Sequence, residues 1–179
     1  MELYTIGHSN HPVDVFIRLL EEHGVTHLVD VRSTPYSRFH PQFNRTALAQ
    51  VVLAYGIAYT WAGEALGGRP KDPSCYKHNT LPGKPEEYLH EVSYPEVMQR
   101  PWFDEGINNL IKLAGERTTC IMCAEKDPAR CHRHHLIARY LLQQGSNVTV
   151  WHILADGSLV NAISIPGLDE SSSADQPSF

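Results

Sequence analysis

No stretch of the chain approaches the ~20 consecutive apolar residues that a membrane-spanning helix needs, and no basic-then-apolar leader opens it. The expectation is a cytoplasmic protein with no membrane partner. Cysteine is sparse, four residues in 179, which excludes a disulfide-stapled mini-scaffold and reads as reduced thiols. Neither a Gly-x-x-x-x-Gly-Lys nor a Gly-x-Gly-x-x-Gly stretch occurs, so a nucleotide cofactor held by either loop is excluded. Internal repeats are absent. Basic residues are missing altogether beyond Arg139, and the net charge is −5. A broad duplex-binding surface, which needs a continuous basic stripe, is not expected.

What is present is 42% hydrophobic and 20% charged, the composition of a soluble globular chain at single-domain length. The charge deficit is uneven. Residues 140–179 hold Asp156, Asp169, Glu170 and Asp175 and no base, whereas residues 1–139 set fifteen Lys and Arg against sixteen acids, a net of −1. Eleven His residues add positive charge below pH ~6.5.

Apolar β-branched runs alternate with helical patterns. Residues 2–6 read as a strand. Pro12 opens a helix that carries Val13, Phe16, Leu19 and Leu20 on one face and stops at Gly24. A strand over 26–31 leads into a polar loop from Arg32 to Asn44, then a helix over 46–55 and a strand over 57–61. Residues 63–101, rich in Gly and Pro, predict a lid-like insertion with a short helix near 86–92. A helix over 102–115, a strand over 118–123, a helix from Pro128 through Gln144 and a strand over 148–154 complete the pattern. The Ser- and acid-rich tail 169–179 predicts disorder. The fold class is therefore α/β. A single domain over residues 1–160 has a mostly parallel sheet, helices on both faces and a long insertion after the third strand.

In open α/β sheets ligands bind beyond the carboxyl ends of the strands, and here the polar clusters fall there. Gly7-His8-Ser9-Asn10 follows the first strand, and Asp30-Val31-Arg32-Ser33 ends the second. Gly67-Gly68-Arg69 lies beyond the third, and Glu125, Cys131, His132 and Arg133 lie beyond the strand ending at Cys123. All four are expected to converge on one crevice. The same residues carry a likeness. Thr5-Ile6-Gly7-His8-Ser9-Asn10, Asp30-Val31-Arg32-Ser33-Thr34-Pro35, Leu66-Gly67-Gly68, and Cys123-Ala124-Glu125 with Cys131-His132-Arg133 together resemble the signature of the "domain of unknown function 488" family, over residues 2–155. The resemblance implies an α/β domain with a shared polar site. It brings no established reaction, so the chemistry rests on the residues.

A helix opening at Pro128 would set Cys131-His132-Arg133 at the end of its first turn. There the helix dipole and a nearby Arg favour a thiolate, and His132 suits proton transfer. The plainer reading is a buried small Cys131 and a His132 that caps a carbonyl. Arg32, Arg38, Arg130 and Arg133 match phosphate or carboxylate by shape and charge; the plainer reading pairs them with Glu125 or Asp30. Phe39 and Phe43, interleaved with Arg38 and Arg45, either stack bases or anchor their loop. Cys120-x-x-Cys123 looks like half a zinc site, but strand positions three apart face opposite ways. A looser metal site using His8, Cys123 or His132 stays open, and His134 and His135 are expected on the outer helix face. A Cys-dependent phosphatase loop needs five residues between Cys and Arg; six separate Cys123 from Arg130, and Pro128 removes an amide donor.

The expected protein is an enzyme, a Cys/His-dependent hydrolase or transferase, acting on an anionic, phosphate-bearing small molecule or a short nucleic-acid segment. Its catalytic candidates are His8, Glu125, Cys131 and His132. The substrate-binding candidates are Gly7, Ser9, Asp30, Arg32, Arg38, Gly67, Cys123 and Arg133. No cofactor or metal ligand is assigned. Two alternatives stand beside this one: a non-catalytic nucleotide or single-stranded nucleic-acid binding module, and a metal-dependent Cys/His site.

Overall fold

The computed structural model describes residues 1–84 and 87–166; the tail expected to be disordered lies outside the described residues. The chain runs β1 (Glu2–Gly7), α1 (Val13–Glu22), β2 (His27–Asp30), α2 (Arg45–Ala54) and β3 (Ala58–Trp61). The insertion holds α3 (Gly63–Leu66), two 3₁₀ turns, α4 (Tyr88–Glu91) and α5 (Tyr94–Val97). Then come α6 (Pro101–Glu116), β4 (Thr119–Cys123), α7 (Arg139–Gln143), β5 (Thr149–Ile153) and β6 (Leu159–Asn161).

One six-stranded sheet is formed in the order β3-β2-β4-β1-β5-β6. Every pairing is parallel except β5 with β6. The α/β class, the single sheet and its mostly parallel sense agree with the sequence. The helices divide by face. Phe16 and Leu20 of α1 and Leu48 and Val52 of α2 pack with Ile6, Leu28 and Met122. Phe103 and Ile107 of α6 and Leu141 of α7 pack with Leu3, Val29 and Ile121 on the other face. Each of the fully buried Phe16 and Phe103 contributes about 2–3 kcal/mol by leaving water. The loops after β1 and β2 therefore turn toward one face and the loop after β4 toward the other. That reversal among adjacent strands opens a crevice at the carboxyl edge.

Three local features differ from the sequence reading. The insertion is knitted into the core: Cys75, Tyr76, Val92 and Val97 are buried with α6, and Tyr76 donates its hydroxyl to the Pro70 carbonyl at 2.6 Å. The single helix expected from Pro128 is broken. Pro128–Arg130 is a 3₁₀ turn, Cys131 is extended (φ −129, ψ 144), and Arg133–Ala138 is a π-helical turn leading into α7. The wider π turn narrows the angular step between neighbours, so Arg133 and His134 both face the sheet and are buried. Lastly, β6 returns antiparallel through Asp156-Gly157, with Gly157 at φ 87. That Asp-Gly pair is the hairpin signal the sequence carried.

Candidate functional site

The four strand-end clusters share one edge of the sheet but divide between its two faces. Side chains alternate along a strand. Asp30 therefore points the same way as Leu28, while Cys123 points the same way as Ile121, into the opposite core.

On the first face lies a cleft of about 450 Å³ lined by His8, Ser9, Arg32, Ser37, His40 and Lys126 among others. Asp30, fully buried, grips Arg32 with both oxygens, taking Nε at 2.9 Å and Nη2 at 2.6 Å. Tyr59 donates to the same carboxylate at 2.8 Å. Burial, followed by the Asp30 charge, pushes the Tyr59 phenol up. Arg32 Nη2 also donates to the Phe43 carbonyl at 2.8 Å, and its Nη1 meets His8 Nε2 at 3.2 Å. A guanidinium can only donate, so His8 Nε2 accepts and the ring proton sits on Nδ1, which donates to the Ser9 carbonyl at 2.8 Å. His8 is stacked on Phe43 with ring centroids 4.3 Å apart. Burial first and the Arg32 charge second hold its pKa down at about 4. Ser9 adopts φ 47, a left-handed conformation that concentrates at functional sites.

On the second face, Cys123 Sγ, Cys131 Sγ and His132 Nδ1 all lie within 4.8 Å of one another, a grouping able to hold a metal ion. His132 Nδ1 is 3.7 Å from one sulfur and 3.8 Å from the other, and its Nε2 contacts the Val31 carbonyl at 3.1 Å. A carbonyl only accepts, so Nε2 carries a proton and Nδ1 is the ring atom turned toward the sulfurs. Burial works to raise the Cys131 thiol. A hydrogen bond from Cys123 and the neighbouring Arg133 and His132 outweigh it and hold Cys131 well down. Cys123, as donor and buried, is pushed up. Arg133 is fully buried, and its guanidinium donates to the carbonyls of Glu125 at 2.5 Å and Lys126 at 2.9 Å and to Thr5 Oγ1 at 3.2 Å. It has no carboxylate among these partners.

A directed chain of hydrogen bonds runs on from Arg133. Thr5 donates to His152 Nδ1 at 2.7 Å, His152 Nε2 to His134 Nδ1 at 3.0 Å, and His134 Nε2 to the Pro166 carbonyl at 3.3 Å. The donor at one end and the carbonyl at the other fix every proton between them.

Several expectations are corrected by these positions. Arg133 is fully buried, outside the cleft lining, and directs its donors to two backbone carbonyls and Thr5. Arg38 and Arg130 are exposed and lie outside the cleft lining. Glu125 does line the cleft with His8 and Arg32, but its carboxylate accepts from the Asp127 amide at 3.1 Å and not from His or Arg. His134 is wholly buried rather than on an outer face. Gly7 makes room for the loop after β4, since a Cβ there would lie 1.9 Å from the Glu125 carbonyl oxygen. Gly67 makes room for Ser33 and Gly63, and a Cβ on Gly68 would strike the His132 ring at 2.8–3.0 Å. Phe43 anchors its loop while Phe39 is 82% exposed. Tyr59, Lys126, Thr5 and His152 are given no role by the sequence. Thr5 and His152 are register partners on neighbouring strands, and polar residues in two apolar strands were the available signal.

No helix among the described residues is long and apolar enough to cross a membrane. No curated protein and no solved structure matches the chain. The family model described as "Domain of unknown function DUF488" matches residues 12–141, from the start of α1 into α7. That span takes in Asp30, Arg32, Gly67, Gly68 and the whole Cys123–Arg133 segment, and the chain belongs to the DUF488 family.

Proposed function

We propose that the protein is an enzyme, a hydrolase or transferase, that binds an anionic, phosphate-bearing small molecule or nucleic-acid end in the His8–Arg32 cleft. His8 moves the proton. The observation that carries this reading is the clamp in which Asp30 fixes Arg32 so that Nη1 meets His8 Nε2 at the cleft wall. Arg32 and Lys126 line that wall, so an incoming anion competes with His8 for the Nη1 proton donor. Its arrival frees the Nε2 lone pair and offsets the Arg32 charge that, after burial, holds the pKa of His8 low. The base becomes stronger when the substrate is seated. This mechanism is acid–base in character. The cysteines, which do not line the cleft, are left out of it.

Inorganic phosphate, adenosine monophosphate and a 5′-phosphorylated dinucleotide serve as probes, with nitrogen-15 NMR of the His8 ring and phosphorus-31 NMR of the ligand as readouts. Bound phosphate should raise the His8 pKa above 4, Arg32→Gln should weaken binding at least tenfold, and His8→Gln should keep ligand bound while lowering turnover. If the wild-type chain binds a probe and returns it unchanged, the protein is a binding module. If no probe moves the His8 resonances, the reading fails.

A further inference from the structure

We propose that Cys123, Cys131 and His132 bind one thiophilic divalent ion of the zinc class, with the fourth coordination position left to water or a substrate group. The site is on the opposite face of the sheet from the His8 cleft and does not rest on the reading of that cleft.

Three independent features point to it. The first is distance. Tetrahedral zinc with bonds of about 2.0–2.3 Å spaces its ligand atoms about 3.3–3.8 Å apart, and His132 Nδ1 stands 3.7 and 3.8 Å from the two sulfurs. The second is orientation. A metal-bound imidazole donates its other ring N–H to a carbonyl or carboxylate, which fixes the tautomer. His132 Nε2 already does so to Val31 at 3.1 Å, with the ring held from the other side by Gly68, where no Cβ fits. The third is environment. The three residues are buried, and their backbone comes from a strand end and the residues just before a π-helical turn. Such turns occur frequently at functional sites. The sequence motif had suggested the wrong pair. Cys120 belongs to the core of the other face, whereas Cys131, brought round by its extended backbone, completes the set with Cys123. Three protein ligands of the Cys₂His type are the pattern of a zinc site that keeps a position open.

The full-length reduced chain, stripped of metal, should take up one equivalent of cobalt(II). Thiolate-to-cobalt charge-transfer bands and tetrahedral visible bands should appear, and zinc should displace both. Cys123→Ser and Cys131→Ser should each lose affinity at least 100-fold, Gly68→Ala about 10–100-fold through the displaced His132 ring, and Cys75→Ser should match wild type. Because a serine variant could misfold, the wild-type chain is also alkylated with and without zinc. The ion should slow alkylation of Cys123 and Cys131 and leave the rate at the core residue Cys75 unchanged. The proposal is overturned if reduced wild-type protein gives no thiolate charge-transfer band, if zinc protects neither Cys123 nor Cys131, or if a folded Cys123→Ser/Cys131→Ser double variant keeps the wild-type spectrum.

Discussion

Asp30 organises the cleft through charge that never meets solvent. Its carboxylate is fully buried and holds Arg32, itself buried, through two of the guanidinium nitrogens. Removing one member of such a pair leaves the other as an uncompensated buried charge, at about 3–5 kcal/mol, whereas removing both is far cheaper. Asp30→Ala should therefore lower the unfolding free energy by about that amount, and Asp30→Ala/Arg32→Met should recover most of it. Urea unfolding of the four-member mutant cycle measures both. A loss below about 1 kcal/mol in the single variant would show that Arg32 finds another partner. The pair was legible from the sequence because the two residues stand two apart at a strand end, where alternation places them on one side. The Cys123–Cys131–His132 set was not. Its closure depends on one extended residue and a π turn, and neither leaves a mark in residue periodicity.

The insertion between β3 and α6 is an element whose composition misleads about its packing. Gly and Pro mark turns, and the segment is indeed built of short turns and single-turn helices. Those turns aim Cys75, Tyr76, Val92 and Val97 into the core formed with α6, and an antiparallel bridge joins Tyr76 to Val92. Val97→Ala should cost about 2 kcal/mol by the apolar area returned to water, in one cooperative transition with an unchanged denaturant slope. A separate early transition in urea would instead mark the insertion as an independent flap. The strands, α1 and α6 were readable because one apolar face recurs at a fixed period. The segment after β4 was not. Asp127, which accepts from the Ala129 amide at 2.9 Å, caps a 3₁₀ turn as naturally as a long helix. The path of the chain beyond that turn is decided by polar partners on the sheet, not by helix propensity.

For the molecule as a whole, folding commits three histidines to the uncharged form. His8 and His134 are held at about 4 and His152 at about 3, in each case by burial first and by neighbouring positive charge second, from Arg32 at His8, His135 at His134 and Arg133 at His152. The unfolded chain protonates all three near pH ~6.5. A folded pKa below the unfolded one means that stability is fully present above pH ~6.5 and is lost as the pH falls toward 4. At pH 5 the unfolded chain binds close to three more protons through these residues, which gives a slope of about 4 kcal/mol per pH unit. That is a large share of the 5–15 kcal/mol that holds a typical domain. The unfolding free energy from urea titrations should be nearly level from pH 8 to 7 and fall steeply between 6 and 5. His8→Gln should reduce the slope by about one proton. An unfolding free energy that stays level from pH 7 to 5 would mean that these rings are already protonated in the fold. The directed chain from Arg133 through Thr5 and His152 to His134 could not then exist, because a protonated imidazole has no acceptor nitrogen to receive the next donor.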